Sequence, residues 1–443
     1  MLTISTCTYE QMAEGLMKVS NSLIILTILI IFNSVSMSGC SGEEAKAVEP
    51  VSEIETAVPV FSGSYEEGFT LFREQDCNLS LYEPESGCLI GAYIQSSIPV
   101  NQDLKLFEAS VGKEHSFYTY FMKMGQPFPA DWVLNCISEN KTPNIVITPE
   151  NIDDPFNTSF LERTAKKISE FYVPVFVHIY PIKAEYGYDT REYINFYKVA
   201  AAVFKRYASN AALVWDIDLK DATLAEEYYP GDDYIDWVGL NVYQNIEDKN
   251  TNLPDNADFN HFYYMFQERK PIFISQLGIS HFTKNTYSYH VKESGERFKD
   301  FYDSVKNDYP RVKAVNYMDY NGISPVNMPE GENNYSVTDH EDMTEYYSKA
   351  VSGEYFLSEV DFSLRGERVK QLIREPYKVN YYDGDYYLPE YASDTLGIYE
   401  SDESAVEFDT GIFHRLKEEG EGYRLETNFN KRAVVLRLDK ARE

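Results

Sequence analysis

Short, continuous apolar runs recur along the middle of the chain, and polar residues bound each of them. Such runs are typical of parallel strands that are buried on both faces of a sheet. We therefore predict eight buried strands, which are Leu89–Ile94, Phe117–Phe121, Asn144–Thr148, Val173–Ile179, Ala212–Ile217, Asp236–Val242, Pro271–Leu277 and Val312–Met318.

Stretches with helical periodicity separate these runs. Ser159–Phe171, for example, places Phe160, Leu161 and Ile168 on one face. The other predicted helices are Asp131–Ser138, Arg191–Tyr207, Phe259–Gln267, Glu293–Lys306 and Glu341–Val351. Strands alternating with helices predict an α/β fold, either a (β/α)8 TIM barrel or a doubly wound open sheet. The count of eight favours a barrel, which we place at residues 64–355.

The pattern changes after Tyr355, where short runs alternate in polarity and turn signals such as Asp383-Gly384 separate them. This pattern predicts a small C-terminal α+β or β-rich module over residues 376–443. Its segment Tyr381–Pro389, followed by Leu396-Gly397-Ile398, resembles the copper amine oxidase-like domain of bacterial surface proteins. That resemblance implies surface association or a spacer role, not copper chemistry.

The N-terminal segment reads as an export signal. Leu23–Phe32 is an apolar run that is too short to span a bilayer, and small residues then precede Cys40. The order resembles the lipobox of bacterial lipoproteins, which implies a signal peptide over residues 1–40 and lipidation of Cys40. Met17-Lys18 makes a more normal start than Met1. The small, acidic residues 41–63 predict a flexible tether, so we expect an extracytoplasmic protein anchored to a bacterial membrane at the cell surface.

The composition narrows the classes of partner. The 443 residues carry 71 acidic and 40 basic side chains, a formal net charge of −31, which argues against binding to nucleic acid. Aromatic residues make up 15% of the chain and would suit the apolar faces of sugars. The sequence suggests no cofactor. It contains no Cys or His residues at a spacing that is typical of a metal site. Whether Cys77 and Cys88 form a disulfide is left open by the sequence.

Functional side chains of such a barrel lie at the carboxyl ends of its strands. Polar and aromatic residues occur at most of these predicted ends, as a sugar-binding cleft requires. The candidate substrate-binding residues are Glu150, His178, Tyr180, Asp216, Asp218, Asn241, Tyr243, Gln276, Tyr317 and Asp319.

Four segments carry a resemblance to a known family. Tyr228–Tyr243, which contains Asp236-Trp237-Val238-Gly239-Leu240-Asn241-Val242-Tyr243, resembles strand six of glycoside hydrolase family 26, the β-mannanase-like barrels. Lys270–Gly278 is similar to strand seven of that family, Pro174–Val177 to the entry of strand four, and Val214-Trp215 to strand five. The resemblance covers residues 87–355 and implies glycosidase architecture.

The family's two catalytic carboxylates are replaced in this sequence. Gln276 stands where the family has its nucleophilic Glu, and an ungapped alignment puts Ile182 at the acid/base position. His178 falls where the family has an Arg. Retaining hydrolysis requires both carboxylates, so the resemblance implies a degenerate barrel, unless Glu185 or another carboxylate takes over.

Three hypotheses follow from this pattern. The first is a catalytically degenerate barrel that binds a polysaccharide, such as a β-mannan. The second is an active, endo-β-mannanase-like glycoside hydrolase with relocated carboxylates, for which Glu185 is the candidate acid. The third is a non-enzymatic structural or assembly lipoprotein whose cleft has no ligand.

Overall fold

A computed structural model describes residues 66–95, 102–148, 151–179, 187–323, 333–363, 366–398, 405–408, 411–420 and 422–438. The predicted signal peptide, the lipobox with Cys40 and the tether at 41–63 lie outside the described residues, and so do Glu150, Tyr180, Ile182 and Glu185.

Eight parallel strands form a closed barrel. In chain order, barrel strands one to eight are Cys88–Ile94, Phe117–Lys123, Thr142–Thr148, Val175–Ile179, Ala211–Asp218, Trp237–Gln244, Ile272–Ile279 and Val312–Asp319. Each strand pairs with the next, and the eighth pairs with the first from Ala314–Leu89 to Asp319–Ile94. The predicted fold class and all eight predicted strands are therefore confirmed.

Helices follow most of the barrel strands. They span Leu104–Val111, Ala130–Ser138, Asn157–Ser169, Thr190–Tyr207, Ala257–Phe266, Val291–Asn307 and Glu341–Ala350, with short helices at Ala225–Tyr228 and Glu390–Leu396. The six predicted helices are confirmed. Leu104–Val111 escaped prediction because it is short, although Asp103 caps its first turn and Gly112 ends it with a positive φ of 65°. No helix of the described residues is long and apolar enough to cross a membrane.

Aromatic side chains fill the amino-terminal half of the barrel interior. Phe176 lies 5.6 Å from Trp237 and 5.5 Å from Phe273 between ring centroids, and Phe117 lies 5.2 Å from Phe273. The indole N–H of Trp237 donates to the carbonyl of Leu81 at 2.8 Å. The floor of the barrel is thus a packed layer that is largely aromatic.

A second, eight-stranded sheet accompanies the barrel. Its strand order is Ala405–Phe408, Gly411–Leu416, Asp385–Pro389, Arg368–Tyr382, Glu66–Asn78, Ala433–Leu438, Tyr423–Asn428 and Glu419–Gly420. The β-rich segment predicted after Tyr355 is thus present. Glu66–Asn78, which the sequence analysis placed with the barrel, instead pairs antiparallel to Arg368–Tyr382 and parallel to Ala433–Leu438. Residues from before and after the barrel therefore build this sheet together.

A buried glutamine joins the barrel to the second sheet. The side-chain amide of Gln267 donates to the backbone carbonyl of Arg374 at 2.8 Å and accepts from its N–H at 2.9 Å. Arg311, which forms a buried ion pair with Glu83, donates to the backbone carbonyl of Gln267 at 2.8 Å. Removal of any one of these side chains would leave a buried polar group without a hydrogen bond.

The three described cysteines, Cys77, Cys88 and Cys136, are buried and free. Cys77 and Cys88 therefore form no disulfide, which answers the question that the sequence left open. Burial raises the pKa of the Cys77 thiol, so this thiol stays protonated at neutral pH.

We expect Gln267→Met to lower the free energy of unfolding by about 3 kcal/mol, because the substitution leaves the N–H and carbonyl of Arg374 buried and unpaired. Urea unfolding followed by circular dichroism measures this change. Lys292→Met, at a side chain that is 86% exposed, is the control and should change stability by less than about 0.5 kcal/mol. Equal effects of the two substitutions would show that the Gln267 contact does not couple the two sheets.

Candidate functional site

The carboxyl ends of the barrel strands bring six of the predicted residues into one region. His178, Asp216, Asp218, Asn241, Tyr243 and Gln276 come from strands four to seven, which are consecutive neighbours in the sheet. Hydrogen bonds link them in three pairs: His178 with Asp216, Asn241 with Asp218, and Tyr243 with Gln276.

Asp216 is the buried acceptor at the base of this region. Nδ1 of His178 lies 2.8 Å from one carboxylate oxygen, and the hydroxyl of Ser275 donates to the other. Because a carboxylate only accepts, Nδ1 of His178 carries the proton, and its Nε2 has no partner among the described residues. Gly239 lies opposite Asp216 in register, and a Cβ there would overlap the carboxylate.

A chain of polar side chains continues from Ser275 across the barrel interior. The amide of Asn316 donates to the backbone carbonyl of Ser275 at 2.9 Å, and the hydroxyl of Thr119 donates to Asn316 at 2.8 Å. Asn144 then donates to Thr119 at 2.9 Å. These three residues were not predicted from the sequence, because they lie within the strands and not at their carboxyl ends.

A β-bulge in strand seven sets the direction of Gln276. Strand six pairs Leu240 with Ile274 and then Asn241 with Gln276, so Ser275 is an extra residue in the ladder. Consecutive residues of a regular strand point to opposite faces, whereas a bulge re-aims a side chain. Ser275 and Gln276 therefore both contact interior partners, Asp216 and Tyr243 respectively.

Tyr243 connects Gln276 to the loops around the barrel mouth. Its hydroxyl donates to Oε1 of Gln276 at 2.6 Å, and its ring packs edge-on against Tyr335 at 5.3 Å. The hydroxyl of Tyr335 donates to Asn245 at 2.8 Å. Removal of its hydroxyl from water raises the pKa of Tyr243, and Tyr335 and Asp218 raise it further. The residue as a whole stays 38% exposed.

A cleft of about 510 Å³ adjoins Tyr243, between the loops that follow strands five and six. This volume lies within the range of small-molecule sites. Its lining is rich in acids and amides, including Asp218, Asn241, Gln244 and Asp248. Asn241 donates to Asp218 at 2.8 Å.

Tyr317 and Asp319, on strand eight, make no hydrogen bond with the six residues above among the described contacts and instead contact two helices and a loop. Tyr317 packs against Phe298 and Tyr347 of two helices and donates to the backbone carbonyl of Tyr335 at 2.6 Å. Asp319 accepts from the side chain of Ser336 and the N–H of Val337, both at 2.8 Å. Burial raises the pKa of Asp319 to about 6. In this structure both residues hold the loop at 333–338.

His281 follows strand seven and was not selected from the sequence. Its ring is fully buried, stacks on Tyr289 at 5.6 Å, and has no hydrogen-bond partner at either nitrogen among the described residues. Burial, with a smaller contribution from the nearby His340, lowers the pKa of His281 to about 4.

The described residues contain no group of three His, Cys, Asp or Glu side chains that could hold a metal ion. Carboxylates, amides and a tyrosine hydroxyl dominate the mouth instead. Such groups suit the hydroxyls of a polar organic ligand.

Comparison with known proteins adds matches at the level of fold. No protein-family model matches the chain, and no curated protein matches it. Among solved structures, a glycoside hydrolase family 26 β-mannanase from Bacteroides ovatus shares 12% identity, with 61% of this chain and 90% of that chain covered and a TM-score of 0.45. A modular endo-β-1,4-mannanase of the same family from Cellulomonas fimi shares 11% identity, with 76% and 94% covered and a TM-score of 0.48.

A β-glucuronidase from Bacteroides uniformis shares 14% identity, with 63% of this chain and 37% of that chain covered and a TM-score of 0.46. Family 26 enzymes are thus among the structures that this chain is similar to, as the sequence resemblance implied. At such identities the likeness concerns the fold alone, and the strand pairing of the chain already establishes the barrel.

We expect Asp216→Asn to lower the free energy of unfolding by about 2 kcal/mol, because Asn offers one acceptor where His178 and Ser275 both donate. Adding Ser275→Ala removes one of these donors and should restore part of the loss. A double-mutant cycle measured by urea unfolding gives the coupling. Strict additivity of the two substitutions would contradict the shared-acceptor arrangement.

Acid should destabilise the protein partly through His281. Its pKa is about 4 in the folded chain, against 6.5 for the unperturbed group, so the unfolded state binds more protons between these values. Stability from this group is therefore complete above pH 6.5 and is lost as the pH falls toward 4.

We expect wild type to lose about 2 kcal/mol more than His281→Leu when urea unfolding is repeated at about pH 7 and about pH 4.5. His261→Leu, at an exposed helix position, is the control and should keep the wild-type pH dependence. A wild-type pH dependence in His281→Leu would assign the acid sensitivity to other groups.

Proposed function

We propose that the barrel mouth binds a polysaccharide, with β-mannan the first candidate, and that it does not cleave it. The observation that carries this proposal is the amide of Gln276 on the bulge of strand seven, directed at Tyr243. The resemblance to family 26 puts a nucleophilic Glu at this position. A side chain that cannot act as a nucleophile at this position supports binding without cleavage.

The chemistry of the amide supports binding over turnover. A retaining glycosidase forms a covalent ester between the sugar and a carboxylate oxygen, and a neutral amide is too weak a nucleophile for that step. An amide nitrogen can still donate to a sugar oxygen, while Oε1 is held by the hydroxyl of Tyr243. Gln276 thus keeps a binding role when the reaction is lost.

The ring of Tyr243 supplies the apolar part of the site. Its exposed portion offers a surface for the C–H face of a pyranose. Tyr335 and Gln276 fix the ring from two sides, so little side-chain entropy is lost when a sugar packs on it.

We further propose that the chain is exported and lipidated at Cys40. The apolar run Leu23–Phe32, the small residues before Cys40 and the acidic segment 41–63 support this. The barrel would then present its mouth to glycans outside the cell. The C-terminal module would contribute to surface association, as its resemblance implies.

Binding and cleavage can be measured on the same polymers. We expect the purified full chain to bind a glycan on an array that includes β-mannans, and to release no reducing sugar. Gln276→Ala should lower the affinity by about tenfold, since the hydrogen bond from its amide nitrogen to the sugar is lost. Tyr243→Phe should weaken binding less, and Tyr172→Phe, at a 90% exposed ring before strand four, should have no effect.

Two results would overturn the proposal. Reducing-sugar release that disappears in Glu185→Gln and survives in Gln276→Ala would establish a hydrolase with relocated carboxylates. Failure of wild type to bind any glycan would leave a structural or assembly role. Gln276→Glu is the complementary variant, because hydrolysis gained by this substitution would show that an acid/base group is still in place.

A further inference from the structure

A buried histidine lies where two loops that follow the barrel strands meet. His281 comes after strand seven and directly precedes a hairpin at residues 282–289. Its ring is 0% exposed and lies between two other rings, Tyr289 of the hairpin at 5.6 Å and His340 at 6.4 Å between centroids. The ring of His281 therefore joins the hairpin to the segment 333–340, which follows strand eight.

Strand eight fixes the segment 333–340. The hydroxyl of Tyr317 donates to the carbonyl of Tyr335 at 2.6 Å, and the carboxylate of Asp319 accepts from the hydroxyl of Ser336 at 2.8 Å. Burial raises the pKa of Asp319 to about 6. The folded chain thus binds this proton more readily than the unfolded chain, and acid does not destabilise the fold through Asp319. The segment is the fixed side of the junction.

The hairpin is the weaker side of the junction. Its ladder has two pairs, Thr283 with Ser288 and Phe282 with Tyr289, and a two-stranded hairpin is marginally stable by itself. A side-chain contact links it to the loop after strand six, because the hydroxyl of Thr283 donates to Glu247. Local opening of such an element costs less free energy than unfolding of the barrel.

A proton on His281 would meet a like charge and no counter-ion. Among the described residues, His340 is the charged group that shifts the pKa of His281, and it disfavours the proton. The carboxylates of the surrounding segments are bound to other partners or exposed: Glu247 accepts from Thr283 and Asn285, Glu293 lies beside His290 and Arg297, Asp339 accepts from Asn321, and Glu341 and Asp342 are exposed. Protonation would therefore bury a positive charge without a partner, which is costly.

The nitrogens of the ring favour opening as well. The backbone of His281 is paired, since its N–H donates to Asn334 and its carbonyl accepts from His290. Neither ring nitrogen has a hydrogen-bond partner among the described residues. A buried polar atom without a partner gains hydrogen bonds when water reaches it. Packing on Tyr289 and His340 thus holds the ring in place, and a charge on the ring opposes that packing.

We infer that His281 is a pH-sensitive switch: the neutral ring holds the hairpin 282–289 against the segment 333–340, and protonation releases the hairpin. Through Glu247, the hairpin supports the loop 245–248, which lines the same cleft as Tyr243. Release should therefore lower the affinity of the barrel mouth for a glycan. The effect on affinity rests on the proposed function, whereas the release of the hairpin does not.

Amide hydrogen exchange of the full chain, measured by mass spectrometry, tests the release. The pKa of His281 is about 4 in the closed form, against 6.5 for the unperturbed group. The opening equilibrium should therefore rise about twentyfold between about pH 7 and about pH 5. After correction for the intrinsic pH dependence of exchange, peptides from the hairpin should exchange faster by this factor. Peptides from barrel strand four, Val175–Ile179, should show no change.

Variants assign the release to His281. His281→Leu should lose the rise in exchange, and His261→Leu, at an exposed helix position, should keep it. If His281→Leu does not fold, His340→Asn replaces it, because Asn keeps the helix cap but removes the like charge. This variant should show a smaller rise than wild type. Equal exchange of the hairpin at both pH values in wild type would overturn the switch, and so would a full rise in His281→Leu.

Glycan binding separates this inference from the proposed function. Wild type should bind its array glycan more weakly at about pH 5 than at about pH 7, and His281→Leu should bind it equally at both. The same pH dependence of affinity in both proteins would overturn the effect on binding. If wild type binds no glycan at about pH 7, the proposed function fails, and hydrogen exchange still decides whether the hairpin is released.

Discussion

The shared acceptor at Asp216 is the constraint on which the barrel interior depends. A carboxylate that is 1% exposed is tolerated only because two donors, His178 and Ser275, satisfy it. Its position also requires a glycine across the ladder at Gly239 and brings Ser275 inward. Below this layer the interior is aromatic and closed, and above it the interior is polar and open. One buried charge thus divides the packed part of the barrel from the part that can meet a ligand.

The bulge of strand seven follows from the same constraint. Ser275 must face Asp216, and without the extra residue Gln276 would turn to the outer helices, where no partner for an amide is expected. With the bulge, adjacent residues make two different interior contacts, Ser275 with Asp216 and Gln276 with Tyr243. The bulge therefore has a structural role of its own, because it lets Ser275 satisfy the carboxylate of Asp216.

The sequence predicts the barrel well and its interior contacts poorly. Eight apolar runs suffice for the strands, since burial on both faces leaves an unbroken signal. The site residues were predicted from their positions at strand ends. Such a position tells how far along the barrel axis a residue lies, but not whether its side chain points into the barrel or toward the helices. Tyr317 and Asp319 show this limit, because Asn316, next to Tyr317 in strand eight, is the residue that points inward. The bulge at Ser275 and the pairing of Glu66–Asn78 with distant strands depend on the closed tertiary structure, and no local pattern encodes them.

The placement of Glu66–Asn78 has a consequence for biosynthesis. This strand is made before the barrel, yet its two neighbours in the sheet are Arg368–Tyr382 and Ala433–Leu438, which are made after it. During synthesis this segment has neither of its neighbours in the second sheet until the residues after the barrel have been made. Contacts of such sequence separation form slowly, and unpaired strand edges invite association with other chains. The barrel can close first. Completion of the second sheet is then the late step of folding, during which the chain is most exposed to association with other chains.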